Sequence, residues 1–110
     1  MSYEFEYEAL PAEGEIVVSF GEGGYDWHQL EVWKRKRDGR LFMASGSGCS
    51  CSSLYDDILS WDDMVAVTSE RTVIAELDAW YSDRPKATEV IEGMKAIRRA
   101  LAPRRGTGSL

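Results

Sequence analysis

The chain has 110 residues, 44 % of them hydrophobic and 29 % charged, with a formal net charge of -6. This length suits one domain with a modest core of its own, and the composition is that of a folded chain rather than a disordered one. No apolar run approaches the ~18 residues of a membrane span, and Met1-Ser2-Tyr3-Glu4 lacks the basic and apolar regions of a secretory signal; membrane, secreted and collagen-like classes are set aside.

Tyr3-Glu4-Phe5-Glu6-Tyr7-Glu8 alternates aromatic and acidic side chains, the period-two pattern of a strand with one aromatic and one carboxylate face. Residues 11–14 read as a turn, and 16–20, Ile-Val-Val-Ser-Phe, as a second, more continuously apolar strand. Gly21, Gly23 and Gly24 follow as a flexible connection. A phosphate loop is rejected there, because no Gly-Lys-Ser/Thr follows and Glu22 would repel phosphate.

Residues 27–37 and 40–45 read as the arms of a hairpin closed by Asp38-Gly39, since both turn residues tolerate positive φ. Two loop geometries fit. A two-residue turn pairs Arg37 with Arg40 and gathers Trp33, Arg35, Arg37, Arg40 and Phe42 on one exposed basic and aromatic face. A three-residue turn pairs Lys36 with Arg40 and sends Trp33 to the face of Leu41 and Met43. Residues 46–53, Gly-Ser-Gly-Cys-Ser-Cys-Ser-Ser, carry only small side chains and read as a loop.

After a transitional stretch, 54–67, the period changes. Val73, Ile74, Leu77, Trp80 and Tyr81 form one stripe of an amphipathic helix, with Thr68 or Ser69 as cap and Asp83-Arg84-Pro85 as terminator. A second helix is expected over about 88–102, burying Val90, Ile91, Met94, Ile97 and Leu101. Gly93 either weakens it or admits a close neighbour, and Pro103 stops it. Strands followed by helices imply an α+β domain over residues 1–103, a small antiparallel sheet of about four strands with two C-terminal helices on one face. Residues 104–110 are expected to form a flexible tail.

Charge is segregated along the chain. Residues 1–33 sum to -8, residues 34–45 to +4, residues 46–83 to -7 and residues 84–110 to +5. An acidic chain is repelled by nucleic acid as a whole; the basic blocks suit an acidic partner, or else pair with the acidic blocks across the fold.

Cys49-Ser50-Cys51 is the most distinctive motif. A zinc site would need four ligands, Cys49, Cys51, His28 and Asp56 being the set at hand, although Cys-x-Cys is tighter than the usual Cys-x2-Cys. A redox dithiol would close a strained ring, and a cysteine nucleophile with His28 as base lacks an orienting partner. The plainer reading packs both thiols as small side chains. His28, the chain's one histidine, reads equally as a structural hydrogen-bonder, and Asp56-Asp57 and Asp62-Asp63 as solvated loop acids rather than a cation site. Of the four tryptophans, Trp80 fits the helix stripe and the core; an exposed Trp27, Trp33 or Trp61 would anchor an interface.

Tyr25-Asp26-Trp27-His28, the run from Trp33 to Phe42 and Ser47-Gly48-Cys49-Ser50-Cys51-Ser52-Ser53, with the acidic-aromatic opening, resemble small uncharacterised proteins of actinobacteriophages, including mycobacteriophages, over roughly the first three quarters of the chain. That pattern has a Pro near position 54, where this chain has Leu54. The resemblance carries no catalytic residue. It implies a phage-encoded protein of the bacterial cytoplasm, where a lasting disulfide is disfavoured. The expected function is that of a non-enzymatic accessory protein binding a host or phage protein through Trp27, Trp33, Arg35, Arg37 and Phe42 beside the 46–53 loop, without cofactor. The alternative is a small zinc protein regulating nucleic acid through its basic hairpin; self-association is left open.

Overall fold

The computed structural model describes residues 10–22, 26–49, 54–55, 58, 60–80 and 85–102. One helical turn, α1 (Leu10–Glu13), leads into β1 (Gly14–Glu22), β2 (Asp26–Arg35) and β3 (Leu41–Cys49). A 3-10 turn (Trp61–Asp63) precedes β4 (Val65–Val67), and α2 (Glu70–Asp78) and α3 (Ala87–Leu101) complete the order. The strands form an antiparallel meander, β1-β2-β3-β4. An α+β fold with two helices after the sheet is therefore what the chain adopts.

The edges of these elements differ from the sequence pattern in informative ways. The acidic-aromatic strand at 3–8 and the tail 104–110 lie outside the described residues. The fourth strand is β4, inside the stretch read as transitional; three residues are too few for a period to show. Residues 11–13 belong to the helical turn α1 rather than to a simple turn, and Gly14 opens β1. Gly46 to Cys49 are not loop but strand, paired in register with Gln29 to Asp26. Small side chains do not prevent a ladder when a long neighbouring strand supplies the backbone partners. In β1 the register shifts at Val17, a bulge that lets the consecutive Val17 and Val18 both pack on the main core.

Period-two alternation gives the sheet two apolar faces. On one, Phe20, Leu30, Val32, Leu41, Met43 and Val67 meet Val73, Leu77, Trp80, Met94 and Ile97 beneath the helices. α2 stops at Asp78, where the Ala79 N–H returns to the Glu76 carbonyl and the Trp80 N–H to the Leu77 carbonyl, well before Asp83-Arg84-Pro85. Trp80 nevertheless stays in the core at 2 % exposure. Ser69 is the N-cap, without a side-chain hydrogen bond. In α3, Met94 and Ile97 are buried as expected, but Ile91 is 54 % exposed, because the sheet contacts the helix along a narrower stripe than the apolar pattern. Gly93 faces Phe20 and Val18, so its missing side chain is what brings α3 against β1. Arg98 binds Glu70 through two hydrogen bonds of 2.9 and 3.0 Å, joining the basic C-terminal block to the acidic one before it.

Candidate functional site

Between β2 and β3, residues 36–39 form the loop inside the hydrogen-bonded pair Arg35 and Arg40. Arg35 N–H donates to the Arg40 carbonyl at 2.8 Å and Gly39 N–H to the Arg35 carbonyl at 2.7 Å, with Gly39 at φ 73°, a conformation glycine adopts without strain. Trp33 stands opposite Phe42 and Lys34 opposite Leu41. This register is neither of the two expected: the loop has four residues. Lengthening a two-residue turn by two leaves the side-chain alternation unchanged, so Trp33, Arg35 and Phe42 do share a face.

That face is not an exposed patch, which corrects the surface expected for partner binding. Trp33, Arg35 and Phe42 are 5, 8 and 7 % exposed. They lie under a second apolar cluster with Ile58, Trp61 and Met64, flanked by Leu54 and Tyr55. Leu54, Ile58, Trp61 and Met64 recur at spacings of four, three and three; this periodicity was the available sign that the transitional stretch is a cover. The cover is fastened by polar contacts. Trp33 Nε1 donates to Tyr55 Oη at 2.7 Å, and the Tyr55 hydroxyl donates to Glu31, which also accepts from Ser19 Oγ. Trp61 Nε1 donates to Glu13 at 2.9 Å. Ser60 and Asp63 close a capping box around the 3-10 turn, so Asp63 has a local structural use.

Arg35 is held beneath the hairpin by three groups. Its guanidinium carbon lies 4.7 Å from the Phe42 ring centre and 5.7 Å from that of Trp61, while Nε and Nη2 donate to the two Asp38 oxygens at 3.1 and 2.7 Å. The Arg40 N–H also donates to Asp38. These hydrogen bonds, that from Arg35 foremost, hold the Asp38 carboxyl at about 2, below its ordinary 3.8, and Asp38 raises the Arg35 guanidinium in turn.

The groups of the expected metal set are only partly brought together. The β2–β3 register pairs Cys49 with Asp26 and Ser47 with His28 at one end of the ladder. Cys51 and Asp56 lie outside the described residues. The His28 ring stacks on Trp80 with centres 4.0 Å apart. Among the described residues no three His, Cys, Asp or Glu side chains form a metal-holding group.

At the opposite end of the sheet, the hairpin and the end of α3 enclose a cleft of about 740 Å3. Lys34, Lys36, Arg37 and Arg40 supply its cations, Glu15 and Asp38 its acids, and Leu41, Val67 and Leu101 an apolar floor. Lys36, Arg37 and Arg40 are exposed, whereas Trp27 is half-buried. Of the five residues expected to bind a partner, Arg37 is thus the one fully presented to solvent. Lys34, Lys36 and Arg40 are members that reasoning from the sequence did not choose. The cleft concentrates positive charge on a chain whose net charge is negative, and so attracts anionic groups over apolar ones that it also contacts.

The chain belongs to the family described as a domain of unknown function, DUF7574, whose model matches residues 13–106, from the end of α1 past the end of α3. No curated protein and no solved structure matches it.

Proposed function

We propose that this chain is a non-enzymatic, phage-encoded accessory protein that acts in the bacterial cytoplasm by binding a host or phage protein. The observation that carries this reading is the basic cleft at the hairpin end, where Lys36, Arg37 and Arg40 are exposed on an otherwise acidic chain. The buried Trp33, Arg35 and Phe42 hold the shape of that end from beneath instead of touching the partner. The motif resemblance to small actinobacteriophage proteins supports the phage setting. Among the described residues no helix is long and apolar enough to cross a membrane.

The test is capture from a nuclease-treated mycobacterial lysate by immobilised protein. Lys36→Glu with Arg37→Glu is the cleft variant, and Lys95→Glu, on the exposed face of α3, is the control. A protein held by the parent and by the control but lost by the cleft variant supports the reading. Equal capture by all three, or none by the folded parent, overturns it.

A second reading, a Cys-x-Cys zinc protein, draws on the β2–β3 register, in which the Asp26–Cys49 pair lies two positions from the His28–Ser47 pair. It requires about one zinc per chain after purification and unfolding by a chelator. Metal-free protein with unchanged stability removes it.

A further inference from the structure

We draw no further inference here: the strongest candidate, the edge of β1 that no described strand pairs beside the shallow groove it forms with α3 at Gly93, carries nothing because a bulge interrupts that edge and nothing in the structure shows what covers it.

Discussion

Arg35 lays its guanidinium over the Phe42 ring at 4.7 Å while gripping both oxygens of Asp38. One side chain thereby joins the hairpin loop above to the aromatic cluster below. Arg35→Ala should destabilise the fold by about 2 kcal/mol, through lost packing and a lost cation–π contact. Arg35→Lys, which keeps the charge but cannot make the planar two-point grip, should lose about half of that. Urea unfolding of the two variants checks the order; no loss from Arg35→Lys would show that the planar two-point grip is irrelevant there.

The pairing also has a pH signature. The folded Asp38 carboxyl sits at about 2, below an ordinary 3.8, so the native state favours its ionised form. Its contribution is fully present above 3.8 and disappears as pH falls through the interval down to about 2. The stability gap between the parent and Asp38→Asn should therefore be constant above that interval and shrink within it. Parallel stability–pH curves through the interval would contradict the assignment.

Gly93 is required by contact rather than by backbone conformation. A Cβ there would run into the Phe20 ring and lie 3.1 Å from Val18 Cγ2. Alanine improves helix propensity by roughly 1 kcal/mol, but overpacking costs about 1–3 kcal/mol. Because Phe20 is itself confined at 4 % exposure, the clash should win and Gly93→Ala should lower the melting temperature. A higher one would mean that the α3 contact with β1 is loose.

Tyr55 fastens the cover to the sheet. Tyr55→Phe leaves the nearly buried Trp33 Nε1 without its acceptor, which should cost about 1–3 kcal/mol. It should also shift Trp33 fluorescence, since the indole loses its hydrogen bond. Unchanged stability and emission would place the cover elsewhere.

Much of the architecture is written locally. The 3.6-residue stripes anticipated both helices and the burial of Val73, Leu77, Met94 and Ile97, and Asp38-Gly39 marked the bend between β2 and β3, because these signals arise from neighbours in sequence. The shared face of Trp33 and Arg35 likewise followed from strand geometry alone, whereas Phe42 joined it in only one of the two turn geometries that fitted. Whether that face met water did not. It depended on Leu54, Ile58, Trp61 and Met64 folding back over it, and on Tyr55 and Trp61 finding Glu31 and Glu13 from far along the chain. For the same reason the basic hairpin could be read, but not its cleft: the wall opposite Arg37 and Arg40 is the end of α3, brought there by the packing of Gly93 on Phe20. Periodicity determines which side chains share a face; only tertiary packing decides what covers it.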